Sequence, residues 1–246
     1  MLSYDSPVSV NGQNSPASTV MSATRQNMAS TPKTVRLPAP ALSNGSLTNG
    51  AASSTNASLA KQHHIWLVTG PAGCGKSTVA KYLATCLHIP YIEGDEYHPQ
   101  ANIDKMSAGI PLTDADRWDW LTALREASIH ELEQGHDGVV LTCSALKRKY
   151  RDVIRVAPYF TPDLHLHFIY LDASEEVLLQ RVLARQNHYM GANMVHSQFD
   201  ILEPPTKAEV DVIRVDVSRP ADIVMAEALD NVLKTMDQIQ EASAQK

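Results

Sequence analysis

The sequence predicts an α/β fold: a P-loop three-layer α/β/α sandwich on a mostly parallel sheet. Three observations predict it. The run Gly70-Pro71-Ala72-Gly73-Cys74-Gly75-Lys76-Ser77 fits the phosphate-loop pattern G-x-x-x-x-G-K-[ST]. An apolar run, Ile65-Trp66-Leu67-Val68, precedes it and a helical segment from Thr78 to Leu87 follows, which is the strand–loop–helix context that the pattern requires. Further along, short apolar runs alternate with helical segments, as they do where helices cover both faces of a parallel sheet. A dinucleotide-binding fold would offer G-x-G-x-x-G, and here the loop carries a lysine instead.

Each element follows from local pattern. Ile65–Thr69 reads as the first strand and Lys76–Leu87 as the first helix. Pro90-Tyr91-Ile92-Glu93 leads through a short second strand to Gly94-Asp95, and a mixed helical stretch runs from Pro99 towards Gly109. Thr113 and Asp116 have the spacing of a capping box. Beyond them Trp118, Leu121, Leu124, Ser128 and Leu132 recur at helical spacing, with Gly135 and Gly138 at the exit. Val139–Thr142 is a buried strand, and Ser144–Val156 is expected to be a basic helix stopped by Pro158. Leu166–Leu171 is a strand, Ala173–Arg185 a helix and Asp211–Val217 the last strand. Pro220 opens a final helix whose apolar stripe is read as Ile223, Ala226, Leu229, Val232, Leu233 and Met236.

Composition divides the 246 residues near position 61. In residues 1–60, Ser, Thr, Asn, Ala, Pro and Gly supply 41 positions and Tyr4 is the sole aromatic. Such a segment buries too little apolar surface to offset the entropy of ordering, so a disordered tail over 1–60 and one domain over 61–246 are expected. After Lys61 there are 17 basic and 26 acidic residues, a net charge of −9, which argues against general nucleic-acid binding. Cys74, Cys86 and Cys143 lack metal spacing and suit a reducing compartment. No apolar run is long enough for a membrane span, and no secretory h-region stands out, so neither membrane insertion nor secretion is expected. The tail is poor in acid after Asp5 but is not Arg-rich, so the cytoplasm is the expected location.

The chemistry starts at the loop. The loop residues Gly70, Pro71, Ala72, Gly73, Cys74, Gly75, Lys76, Ser77 and Thr78, whose backbone N–H groups are all available except at Pro71, which has none, are suited to hold nucleotide phosphates at a helix N-terminus. Lys76 reaches the outer phosphates and Ser77 is the candidate Mg²⁺ ligand. Cys74 reads as a small filler of that loop, with an exposed, redox-sensing thiol as the alternative. Asp95, after the second strand, can orient or deprotonate an acceptor hydroxyl, and His98 can line the acceptor pocket. Lys105, Arg117, Lys147 and Arg151 are cations near the sheet edge, which in an acidic domain suggests an acidic small substrate. Arg181 and Arg185 lie four apart before His188-Tyr189-Met190-Gly191, suited to meeting ATP phosphates at a mobile lid over 185–195. His165 and His167 share a strand face without a third ligand and read as structural. No N-K-x-D guanine motif accompanies the loop, and Val139-Val140-Leu141-Thr142 ends without a Walker-B Asp. Taken alone, the residues reach ATP-dependent phosphotransfer to a small, acidic acceptor.

Several longer stretches go further. Gly94-Asp95-Glu96-Tyr97-His98-Pro99, Asn102–Met106, Gly109–Trp118 with Trp120-Leu121, Cys143–Lys147, Tyr150-Arg151-Asp152, Phe168–Leu171 and Ser197-Gln198-Phe199 together resemble the gluconate kinases of the small P-loop type. The resemblance covers residues 63 to 236 and leaves the tail unexplained. It implies a nucleoside-monophosphate-kinase-like fold with a closing lid, commonly a homodimer, that makes 6-phosphogluconate from D-gluconate with ATP and Mg²⁺. By position it implies Asp95 beside the acceptor, Arg181 and Arg185 at nucleotide and lid, and Lys105, Arg117 and Arg151 available to the sugar acid. Tyr189 stands where Phe is usual, a change that hardly alters pocket size. A kinase of another sugar acid or of shikimate, and an inactive nucleotide-binding regulator, are the alternatives.

Overall fold

The computed structural model describes residues 62–161, 163–184 and 192–245; the tail expected over 1–60 and residues 185–191 of the lid expected over 185–195 lie outside them, while 192–195 open a helix in which Val195 is buried. Five strands form one sheet: β1 (His63–Thr69), β2 (Tyr91–Ile92), β3 (Gly138–Thr142), β4 (Leu164–Asp172) and β5 (Val212–Asp216). The order is β2-β3-β1-β4-β5 and each pairing is parallel. β1 lies at the centre because it is apolar on both faces. Ile65 and Leu67 join one buried cluster, while Trp66 and Val68 join the other.

The helices divide between those clusters. α1 (Lys76–Leu87), α6 (Glu175–Ala184), α7 (Ala192–Ile201) and α8 (Ala221–Ala244) contribute to the Trp66 side, through Leu83, Leu178, Val195 and Val224 among others. α3 (Asp114–Glu133), α4 (Arg148–Ile154) and the short α5 (Ala157–Phe160) contribute to the Ile65 side, through Leu121, Tyr150 and Ala157. A short α2 (Gln100–Ser107) and a 3-10 turn, Gly94–Tyr97, follow β2. The chain therefore leaves the adjacent strands β1 and β3 towards opposite faces. Their carboxyl ends open a crevice there, the usual ligand position in such sheets.

The Thr113–Asp116 capping box forms, with Thr113 N–H on the Asp116 carboxylate at 2.8 Å. Several expectations are corrected. Trp120, not Trp118, faces the α3 core, where its indole N–H donates to the Gly94 carbonyl at 2.7 Å. α8 buries Val224, Ala228 and Val232, while Ile223 and Leu233 stay about half exposed. The expected stripe holds at Leu229, Val232 and Met236, which join that core, and fails at Ile223, Ala226 and Leu233, since a helix rich in aliphatics on several faces has no unique apolar side until it meets α1. The basic helix begins at Arg148 rather than Ser144. The Glu203 carboxylate accepts the Arg148 N–H at 2.8 Å, and Thr69 Oγ1 donates to the Ser144 carbonyl at 2.6 Å, which holds 143–147 irregular. Pro158 does not stop that helix. It sits in the first turn of α5, where its missing N–H has no cost. The sequence reading also passed over α7.

Candidate active site

The loop between β1 and α1 is built for an anion. Gly70, Gly73 and Gly75 adopt φ of 142°, 82° and 100°, which orient the loop's N–H groups into one concavity. α1 starts at Gly75 with no side-chain cap and no acidic residue in its first turn, so its positive end is left to a ligand. Lys76 Nζ lies 3.0 Å from the Gly70 carbonyl and 3.1 Å from that of Pro71, folded over the loop. Ser77 is half-buried beside it and Thr78 is exposed in the same turn. Cys74 is 2% exposed and burial pushes its thiol up, against the reading of an exposed, reactive thiol.

β2 delivers the next groups. Glu93 accepts from Thr142 Oγ1 at 2.5 Å and from the Tyr91 hydroxyl. Burial pushes its carboxyl up, but hydrogen bonds from Thr142, Tyr91 and Ser77, with the Lys81 charge, outweigh this and hold it below the ordinary value. Gly94 follows because nothing else fits: a Cβ there would lie 1.8 Å from the Thr142 carbonyl oxygen. Asp95 is thereby placed at the sheet's carboxyl edge and is exposed. The charges of Asp95, Lys76 and Arg117 all act on the buried Cys143 thiol, which burial chiefly drives up to about 12. The loop, the Asp95 carboxylate and the Arg117 cation therefore converge at the end of β3.

On the acceptor side, the His98 ring stacks on Trp120 at 4.0 Å and approaches Asn102. Burial first, and the Arg117 charge after it, lower its pKa against the pull of Asp95, which favours the neutral ring. Arg117 donates to the carbonyls of Leu112 at 2.5 Å and Thr113 at 3.0 Å, and its guanidinium lies over the Tyr150 ring. Lys147 meets Asp114 at 3.0 Å, and Lys149 and the Tyr150 hydroxyl bind the same carboxylate. Lys105 pairs with Asp116 at 2.6 Å. Lys105, Arg117, Lys147 and Lys149 outnumber Asp114 and Asp116 and leave net positive charge along α2, the start of α3 and residues 147–149.

Residues 67–198 match the family model described as AAA domain. A probable gluconokinase from Schizosaccharomyces pombe is 49% identical over 71% of this chain and 91% of its own length. The thermoresistant gluconokinase of Escherichia coli is 38% identical over 70% of the chain and 95% of that protein. The crystal structure of a gluconokinase from Sinorhizobium meliloti superposes with a TM-score of 0.65 at 39% identity, covering 74% of this chain and 98% of that one.

The chain belongs to the gluconokinase family.

Within this gluconokinase frame, the structure brings Lys76, Ser77, Asp95, His98, Arg117 and Lys147 to one crevice, with Lys105 at its margin. It removes Arg151 from the acceptor set. That side chain is 1% exposed and spends its guanidinium on Glu209, at 2.7 and 2.8 Å, and on the Ala145 carbonyl at 3.1 Å. An arginine so enclosed cannot reach a soluble acid. Arg181 is half-buried on α6 and donates to the carbonyls of Val217 and Arg219, so it fixes the loop after β5 beside the nucleotide side of the sheet. Arg185 lies outside the described residues.

Two further polar residues at the crevice are not singled out by the sequence. Glu93 sits where a carboxylate can serve Mg²⁺ through water, the part left open by β3's lack of a Walker-B Asp. Its signal was its position directly before Gly94-Asp95 at the end of β2. Ser77 and Glu93 share hydrogen bonding, an all-oxygen pair that fits a hard cation otherwise held by phosphates and water. Gln198 is the other, and its Oε1 accepts the Ala72 N–H of the loop at 2.6 Å. His165 and His167 stack with His64 and Trp66 in the amino half of the sheet, and among the described residues no three-donor metal cluster forms.

Proposed function

We propose that the chain catalyses ATP-dependent phosphorylation of D-gluconate to 6-phospho-D-gluconate. The observation that carries this is the likeness to gluconokinases over nine-tenths of their length. ATP is read as the donor because the loop is a phosphate cradle. Its N–H groups and the α1 terminus take the phosphates, and Lys76 swings from the loop carbonyls to the outer ones. Bound Mg²⁺ would neutralise phosphate charge, with Ser77 as ligand and Glu93 behind it. Asp95 orients and accepts the proton of the attacking hydroxyl. Arg117, Lys147 and Lys105 are offered to the gluconate carboxylate, His98 lines the pocket, and Arg181 supports the nucleotide. Arg185 and a lid confined to 185–191, the part of the expected segment that precedes the packed α7, would exclude water, which competes as acceptor.

A homodimer in the cytoplasm belongs to the same reading. The family resemblance supports the first, and the free cysteines the second. Among the described residues no helix is long and apolar enough to cross a membrane. The disordered tail over 1–60 and the domain over 61–246 are likewise proposed, on composition. An acceptor panel with ATP tests the activity: gluconate should give the highest kcat/KM, and turnover of shikimate or another sugar acid in its place would overturn the assignment. Asp95→Asn should cut kcat at least a hundredfold with little effect on ATP affinity.

A further inference from the structure

Gln198 is remote from the phosphate loop in sequence, yet its amide oxygen accepts the Ala72 N–H at 2.6 Å. The helix that carries it is not loosely placed. Val195, one turn before, is fully buried, and Phe199 packs on the same core. The segment after α7 is tied to the acceptor side, where the Glu203 N–H donates to the Leu146 carbonyl at 2.9 Å and the Glu203 carboxylate accepts from Arg148 N–H. Gln198 is therefore presented to the loop by a packed helix, between the nucleotide and acceptor halves of the crevice.

The end of the loop it touches is the outer one. α1 is capped at Gly75, so Ala72 is three residues beyond the cap. Lys76 Nζ, the cation suited to the outer phosphates, lies on the carbonyls of Gly70 and Pro71, directly beside Ala72. A phosphate oxygen that takes the Ala72 N–H has to displace the Gln198 oxygen. The glutamine amide carries donors as well as an acceptor, and among the described residues its N–H₂ has no acceptor within hydrogen-bonding distance. Once displaced, a modest turn about its terminal torsion aims that N–H₂ at the phosphate.

We propose that Gln198 is a further phosphate-contacting residue of the reaction. Its amide oxygen holds the Ala72 N–H until the outer phosphate of the nucleotide replaces it, and its N–H₂ then donates to that phosphate. The inference rests on the reading of Gly70–Ser77 as the nucleotide site. It makes occupancy of the loop by a triphosphate, rather than a diphosphate, the event felt by α7.

The test uses the full chain, with Mg²⁺-ATP and Mg²⁺-ADP binding measured by calorimetry and kcat measured with gluconate, for wild type, Gln198→Leu and Gln198→Glu. Melting temperature reports folding of each variant. Gln198→Leu frees the Ala72 N–H and removes the donor, so ATP affinity should stay within threefold of wild type or tighten while kcat falls at least tenfold. Gln198→Glu keeps the acceptor, strengthens it with charge and repels phosphate. Its ATP affinity should fall at least tenfold, and by several times more than its ADP affinity. Equal losses for ATP and ADP in Gln198→Glu would overturn the assignment to the outer phosphate. Wild-type binding of ATP with both variants within twofold in every readout would overturn the inference alone. Failure of the wild type to bind ATP would overturn the phosphate-loop reading and this inference with it.

Discussion

Replacing Arg151 with Met tests whether this arginine serves the fold or the substrate. The guanidinium is enclosed, bonded through Nε and one terminal nitrogen to both oxygens of Glu209 and through the other nitrogen to the Ala145 carbonyl. Breaking one side of a buried ion pair costs about 3–5 kcal/mol, because the remaining charge is left without its partner. The two sides are not equivalent here. Without Arg151, Glu209 still accepts from Arg155 at 2.7 Å and from the Thr206 N–H. Without Glu209, Arg151 keeps only backbone carbonyls. Arg151→Met should therefore cost about 3 kcal/mol and Glu209→Leu about 5 kcal/mol, at opposite ends of that range. At about 2–4 °C per kcal/mol for a domain of this size, the melting temperature should drop by roughly 6–12 °C and 10–20 °C. The Arg151→Met/Glu209→Leu double variant should lose much less than the sum, since neither charge is then stranded. Calorimetric melts and urea titrations give these numbers, and gluconate KM should stay within about twofold of wild type. A folded Arg151→Met protein that melts within 2 °C of wild type but shows a tenfold higher gluconate KM would refute the argument and return Arg151 to the acceptor site.

Lys76→Ala should lower kcat at least a hundredfold with an unchanged melt, because the ammonium acts on charge that develops in transfer; near-normal kcat would contradict that role. Gly94→Ala should destabilise by about 3 kcal/mol or more and abolish activity together, since the 1.8 Å approach to Thr142 forces β2 from β3 or tilts Asp95; a well-folded, active variant would show that the edge is pliable. Acid should weaken the fold through His64 and His167, whose pKa values lie at about 4 and about 3, depressed first by burial and then by neighbouring imidazoles. Both are raised again to about 6.5 on unfolding, so the unfolded chain binds more protons; stability is full above pH 6.5 and falls progressively as pH drops towards 3. At pH 5 the loss is about 2 kcal/mol for each histidine, and His64→Gln should flatten the urea-midpoint profile between pH 7 and 5, whereas a flat wild-type profile would exclude this origin.

Elements that depend on near neighbours were legible in the chain. The phosphate loop needs glycines at fixed spacing after an apolar strand, and the α3 start needs Thr113 three residues before Asp116, so both can be read within eight residues. The alternation of strand and helix likewise gave the parallel sheet, and Asp95 was placed correctly at its edge by the strand that ends before it. Registers of burial on α3 and α8 were less legible, because Trp118 and Trp120, or Ile223 and Val224, are equally apolar and only the packed neighbour chooses between them.

The roles of charged residues were decided by tertiary structure. Arg117 and Arg151 look alike in sequence, each a cation beside a carboxylate. The fold leaves Arg117 at the crevice and buries Arg151, because Glu209 arrives from 58 positions away with both oxygens. Glu93 gained its place from Thr142 on the adjacent strand, and Gln198 reached the loop across 126 positions. What a local sequence determines is the shape that its own backbone favours and the side it can bury. Whether a polar side chain is committed to the fold or free for a ligand depends on which distant group supplies its hydrogen bonds, and that is settled only when the chain has closed on itself.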